Sequence, residues 1–262
     1  NMNIGRINTI LLHSWFHFTH SMETWVDLFW NSSIQIILFS FLATAVSKGG
    51  DTTSARYMVV GMIFWNMIWV NQYAMALGIL WETWSRSFSS LFISPLSMNE
   101  FLLAQMISGC IKSFVALSMS MIIASTIHGI TLLPLGLWFF VYCFELMLLG
   151  WAFGFLVLSL ILRFGTDVQS LSWAIVFAIQ PVGGIFFPSQ YLPESVRWIS
   201  SFLPTSYLFQ SLHGQLAGKS VDLSMLGMAT TLNIVYILAS YLLFQHQYKM
   251  SRITGRFARM ES

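Results

Sequence analysis

Charge is what this sequence has least of. Only 8% of its 262 residues are Asp, Glu, Lys or Arg, while 56% are hydrophobic; a water-soluble domain carries about a quarter charged residues. That scarcity excludes an ordinary soluble globule. Cysteine is nearly absent too. Cys110 and Cys143 each fall inside apolar runs, so they read as small buried hydrophobes and not as a disulfide framework or a metal site. A net charge of +2 is too small to suggest nucleic acid as a partner. No polar stretch exceeds about 30 residues, which leaves no room for a separate catalytic or nucleotide-binding domain. No short apolar region followed by a small-residue cleavage site opens the chain, so the first spanning helix is expected to do the targeting.

What is present is a series of nearly charge-free apolar runs, each long enough to cross ~30 Å of hydrocarbon as a helix. They predict an all-α membrane protein with six spans, at about 26–46, 57–80, 101–127, 135–162, 168–187 and 225–244. Residues 1–262 then form a single transmembrane domain. Gly49-Gly50-Asp51, His128-Gly129 with Pro134, and Arg163 to Asp167 supply the turns. Arg6, Arg86, Arg163, Lys249, Arg252, Arg256 and Arg259 fall on one side, against Lys48, Arg56, Arg197 and Lys219 on the other. Excess Lys and Arg mark the cytoplasmic side, so both termini are expected there, with 245–262 a basic tail.

Two segments do not fit simple spans. In the first, residues 1–25, the polar residues His13, His17, His20 and Thr24, with Asp27 just beyond, recur at helical spacing, with Leu12, Trp15, Phe16, Met22 and Trp25 elsewhere on the surface. An amphipathic helix in the membrane interface is expected. His at i and i+4 can share a metal ion, but a wet helix face explains the stripe more simply. The second is 188–217, apolar yet interrupted by Pro188, Pro193 and Pro204. Val196, Ile199 and Leu203, then Leu208, Leu212 and Leu216, repeat along one face. Two short helices that enter the outer leaflet and return are expected, buried against protein or water.

Between the second and third spans, Trp81, Trp84, Phe88 and Leu91 recur at helical spacing, with Glu82, Arg86 and Ser89 on the polar side. A short amphipathic helix here either anchors in the interface or is gripped by a soluble partner. The order of parts resembles the permease subunit of ABC-2 type exporters. The family's N-terminal elbow helix corresponds to residues 1–25, and its coupling helix to 82–98, ending in the turn Ser94-Pro95-Leu96-Ser97 before Glu100. Its two re-entrant helices match Gly184 to Pro188, Leu192-Pro193 and Leu203-Pro204-Thr205-Ser206-Tyr207. One departure is Leu203, where many members have Asn before the Pro. The elbow also lacks the strongly basic character of polysaccharide exporters, which disfavours that substrate class.

The resemblance implies a multi-pass subunit of the bacterial inner membrane, paired with a second permease copy, either identical or paralogous. It would export an amphipathic substrate (drug, lipid or lipid-linked glycan) by alternating access. ATP and Mg²⁺ would be held by a separate cytoplasmic ATP-binding cassette subunit; this chain would bind no cofactor and catalyse nothing. Trp84, Arg86, Phe88, Leu91 and Pro95 would form the contact with the ATPase.

Other patterns carry less. Gly214 to Ser220 superficially suggests a phosphate loop, but the sequence is one residue short of G-x-x-x-x-G-K-[ST] and no strand is predicted before it. Lys112 and Glu145 are the only charges deep within spans. At similar depths on adjacent spans, they are expected to pair, as a structural ion pair or in the transport path. Gly150-x-x-x-Gly154 permits close helix approach within the chain. An intramembrane serine protease would need G-x-S-G, and Met106-Ile107-Ser108-Gly109 lacks the first Gly. An ion-coupled carrier or channel remains the other alternative, although buried acids are sparse.

Overall fold

Side-chain caps set the starts of several helices. In a computed structural model describing residues 3–85, 96–168 and 170–254, helix α1 runs Ile4–His20, its first turn capped by the Asn3 side chain, which accepts from the Gly5 amide at 2.9 Å. Helix α2 covers residues 22–48: Met22–Trp25, a π-helical turn Val26–Trp30, and Asn31–Lys48. Helix α3, Thr52–Trp84, starts at Asp51, whose carboxylate accepts from the Ser54 amide at 2.9 Å. Hydrogen bonds from Ser54 hold that carboxyl below its ordinary pKa.

Helix α4, Met98–His128, begins with a full capping box between Ser97 and Glu100 and ends at Gly129, whose φ of 63° is the left-handed stop that glycine adopts freely. Helix α5 is Trp138–Phe164, α6 Leu171–Phe177, α7 Glu194–Ser200, α8 Pro204–Leu216 and α9 Leu223–Thr254. Three single 3₁₀ turns complete the list of regular elements, and no strand occurs among the described residues.

Three of these helices are long and apolar enough to cross a membrane: Met98–His128, Trp138–Phe164 and Leu223–Ile253. Helix α3 is longer still, roughly 50 Å at 1.5 Å per residue, but Asn66, Asn71 and Gln72 break its apolar character. Its position explains the difference. Helix α3 is the hub, packed against α2, α4, α5 and α6, and every residue from Met58 to Leu77 is buried. A helix surrounded by protein can carry amides that a lipid-facing helix could not. On the outside the pattern is reversed. Ile111, Phe114 and Ile122 of α4, and Val235, Leu238 and Leu242 of α9, are exposed. Apolar faces of this extent, turned outward around a core containing polar groups, match a hydrocarbon surround and not water.

Small residues let the hub approach its neighbours. A side chain at Gly150 would meet Asn71 at 3.0 Å, and one at Gly154 would meet Met75 Sδ at 2.6 Å. The Gly150-x-x-x-Gly154 pair therefore seats α5 on α3 within one chain, as expected. Gly109 of α4 faces Asn71 in the same way, and Gly78 of α3 faces Gln105.

One predicted span needs correction. The run at 168–187 contains only the seven-residue helix Leu171–Phe177, followed by turns. Seven residues rise roughly 10 Å, too little to cross the bilayer. Pro181 lacks the amide that a continuing helix requires; Gly183 donates to Ile179 O at 2.8 Å, and Gly184 has φ 69°. That turn docks on the start of α8, where side chains at Gly183 and Gly184 would meet Thr205 and Ser206.

Candidate functional site

The end of the bundle that gathers the starts of α1 and α4 is knotted at Glu100. This carboxylate is fully buried. It accepts from the backbone amides of Asn3 at 2.7 Å and Ser97 at 2.8 Å, and it lies 3.8 Å from the Arg6 guanidinium. One side chain thus joins α1, α4 and the close of the segment between α3 and α4. Nearby, Asn99 accepts from Gln245 of α9 at 3.1 Å, and Ser251 of α9 donates to Leu162 O of α5 at 2.9 Å.

At the opposite end His128 meets Ser40 O at 2.9 Å, Gln215 donates to Leu135 O at 3.1 Å, and Tyr57 stacks on His213. These contacts sort the cations as the sequence suggests: Arg6, Arg163 and Arg252 share the first end, and Lys48, Arg56 and Lys219 the second.

Of the expected ATPase-contact residues, Trp84 ends α3, 40% exposed, with its ring edge-on to Trp81 at 5.4 Å. Arg86, Phe88, Leu91 and Pro95 lie outside the described residues. The segment that holds them leaves from Trp84 and Ser85 and rejoins at Leu96 and Ser97, beside the Glu100 knot.

Helix α1 lies lengthwise on α4, from Glu100 near its start to Lys112 beside Phe18. Its polar stripe is not simply wetted. His17 packs tilted against Trp81, ring centroids 5.3 Å apart, and His13 lies 3.8 Å from Glu82, while Leu12, Trp15 and Phe16 are exposed. Desolvation, with His13 beside it, lowers the His17 pKa from its ordinary value.

The expected Lys112–Glu145 pair does not form. Glu145, on α5, accepts from Thr230 Oγ1 at 2.6 Å and from Asn233 Nδ2 at 2.7 Å, both on α9. Lys112, on α4, lies over the Phe18 ring, 5.7 Å from its centroid. The hub α3 packs against both α4 and α5 and keeps the two charges in separate interfaces. Similar positions along the two spans do not bring the side chains together, because azimuth sends them into different interfaces.

The three prolines of 188–217 punctuate it as expected. Pro188 precedes the 3₁₀ turn Ser189–Tyr191, Pro193 caps α7, and Pro204 opens α8. Gly214 and Gln215 belong to the last turn of α8, and a left-handed Gly218 leads into the turn before α9. That geometry is a helix end, not a phosphate-binding loop.

Sequence reasoning missed the polar interior of the hub. Asn71 donates to Met147 O at 3.1 Å and Ser113 to Met67 O at 3.3 Å, fastening α3 to α5 and α4. Gln72 is fully buried, and neither of its side-chain polar atoms has a hydrogen-bond partner among the described residues. The visible signal was three amides within seven residues of an otherwise apolar run. Among the described residues, no three His, Cys, Asp or Glu side chains gather as a metal site would require.

A polar-centred hub sheathed in helices with outward apolar faces defines a helical membrane protein. A sequence profile of the ABC-2 type transporter family matches residues 10–216, and the chain belongs to that family. It is accordingly the membrane component of an ABC transporter, a class that works with an ATP-binding subunit. A search of curated proteins finds no match.

Proposed function

We propose that the protein is the permease of an ATP-driven exporter, working as a pair of permease subunits with two cytoplasmic ATPases in the bacterial inner membrane. The family match over residues 10–216 carries the reading. In it, the six runs of the sequence form one transmembrane domain with both termini cytoplasmic. Residues 1–25 are the elbow, 82–98 the coupling region, 188–217 the re-entrant segment and 245–262 the cytoplasmic tail.

The Glu100 knot supports the mechanical part of this proposal. ATPase closure displaces the coupling region through Trp84, Arg86, Phe88, Leu91 and Pro95. Its C-terminal end is fixed to α4 by the Ser97–Glu100 capping box and to α1 through Asn3 and Arg6. A push there moves α1 and α4 together relative to the hub α3, which Gly78 and Gly109 let α4 approach closely. The cargo is an amphipathic molecule (drug, lipid or lipid-linked glycan), and ATP and Mg²⁺ stay on the partner chain. Purified alone in lipid, the permease should show no ATP hydrolysis above empty vesicles, and the same preparation with its ATPase subunit should. Robust turnover by the isolated chain would refute the assignment.

A further inference from the structure

Lys112 has no counterion. Among the described residues it carries no ion pair or hydrogen bond; its ammonium lies over the face of the buried Phe18 ring, 5.7 Å from the centroid. It sits 14 residues beyond Met98, roughly 20 Å along α4 at 1.5 Å per residue, where a lone ammonium facing hydrocarbon is costly. A cost of that kind, unrelieved by a carboxylate, needs a reason.

The surroundings supply one. Lys112 lines a cavity of about 400 Å³ between α1 and α4. Its walls combine Leu11, Trp15, Ile111 and Val115 with the polar side chains of Ser14 and Ser108. Trp15 and Ile111 are 51% and 46% exposed, so the cavity opens sideways, toward lipid. The nearest acids do not neutralise the lysine. Lys112 also borders a second cavity, of only about 30 Å³, that Glu82 lines, but the two form no ion pair and Glu82 lies by His13; Glu145 is held by Thr230 and Asn233. One cation with two hydroxyls at the polar end of a hydrocarbon-lined groove is complementary to one chemical class.

We infer that the α1–α4 groove binds an anionic amphiphile taken from the bilayer, its phosphate or carboxylate against Lys112, Ser14 and Ser108 and its chain along Leu11, Trp15, Ile111 and Val115. Charge-assisted hydrogen bonds to the headgroup replace the missing counterion. Neither zwitterionic nor neutral amphiphiles offer the same balance, because their headgroups leave the lysine charge uncompensated.

Dodecyl phosphate is the probe, added to the full chain in dodecyl maltoside, with dodecylphosphocholine and inorganic phosphate as controls. Binding is read from thermal stability and from ligand retention in native mass spectrometry. Dodecyl phosphate should raise the melting temperature and remain bound, and neither control should. Lys112→Gln should weaken binding at least tenfold, while Lys112→Arg keeps it. Ile111→Trp, which fills the groove but leaves the charge, should weaken it as much. Lys112→Gln removes only an uncompensated charge, so it should fold, and Ile111→Trp lies at an exposed position. Equal binding by Lys112→Gln and the parent, or an equal effect of inorganic phosphate, would overturn the inference. The assay needs no ATPase or nucleotide, so its failure leaves the exporter reading standing.

Discussion

Glu145 should be energetically coupled to Asn233 and not to Lys112. Replacing it with Gln keeps one acceptor oxygen and puts an amide where the other stood, so one of two short bonds, at 2.6 and 2.7 Å, is lost. Such a bond to a charged group contributes ~1.5–3 kcal/mol. Neutralising a carboxylate in hydrocarbon works the other way, with an insertion cost of about 2.5–3.5 kcal/mol at the bilayer centre. The single variant should therefore fall between ~0.5 kcal/mol less stable and ~2 kcal/mol more stable than the parent.

A double-mutant cycle separates the two effects, because desolvation enters both backgrounds alike. Glu145→Gln with Asn233→Ala should give a coupling of about 1–2 kcal/mol, above the ~0.6 kcal/mol average for hydrogen-bonded pairs within membranes. Glu145→Gln with Lys112→Gln should give under ~0.5 kcal/mol, since the residues occupy interfaces on either side of α3. Reversible unfolding in bicelles measures both. A Lys112–Glu145 coupling larger than the Glu145–Asn233 value would refute the placement of these helices.

Three further expectations follow from packing and caps. Gly61→Ala places a methyl against the Ile185 backbone carbonyl, which cannot rotate away; it should destabilise by ~1–3 kcal/mol. Gly227→Ala, in open space within α9, should be neutral or stabilise by up to ~1 kcal/mol; thermal melts distinguish them. Glu100→Ala leaves the Asn3 and Ser97 amides without their acceptor and should cost about 2–4 kcal/mol, with Glu100→Gln milder, and limited proteolysis should then release the α1 region first. Asp51 and Asp222 are both held below the ordinary carboxyl pKa, chiefly by hydrogen bonds from Ser54 and Ser224. Their contribution is present above the unfolded value of ~3.9 and fades as pH falls through the lower folded values. The Asp51→Asn, Asp222→Asn double variant should therefore lose stability less steeply than the parent below about pH 4.

The sequence made the helical class legible because hydrocarbon imposes one requirement on every residue that faces it, and long charge-free runs register that requirement directly. Turns were equally legible, since Gly49-Gly50-Asp51 and His128-Gly129 act within a few residues of themselves. Azimuth was not. Lys112 and Glu145 have matching depths, yet only the packing order places α3 between their helices and turns Glu145 toward Thr230 and Asn233. The 168–187 run failed for a related reason: its apolar composition satisfies a span, but Pro181 and the Gly183-Gly184 pair let it turn back onto α8. Asn66, Asn71 and Gln72 lowered the apparent hydrophobicity of α3 because the helix is enclosed by protein, a condition its own sequence cannot state. The Glu100 knot needed residues 97 apart, Asn3 and Glu100, to meet.

The central claim is that the segment between α3 and α4 is the place where an ATPase drives this permease. A photo-crosslinking amino acid installed singly at positions 84, 86, 88 and 91, and at Lys219 as an opposite-end control, tests it in native membranes containing the full transporter. Adducts at 84–91 that carry an ATP-binding subunit, and none at 219, are the expected result. Adducts to that subunit from position 219 and none from any position in the segment would contradict both the coupling role and the orientation of the protein in the membrane.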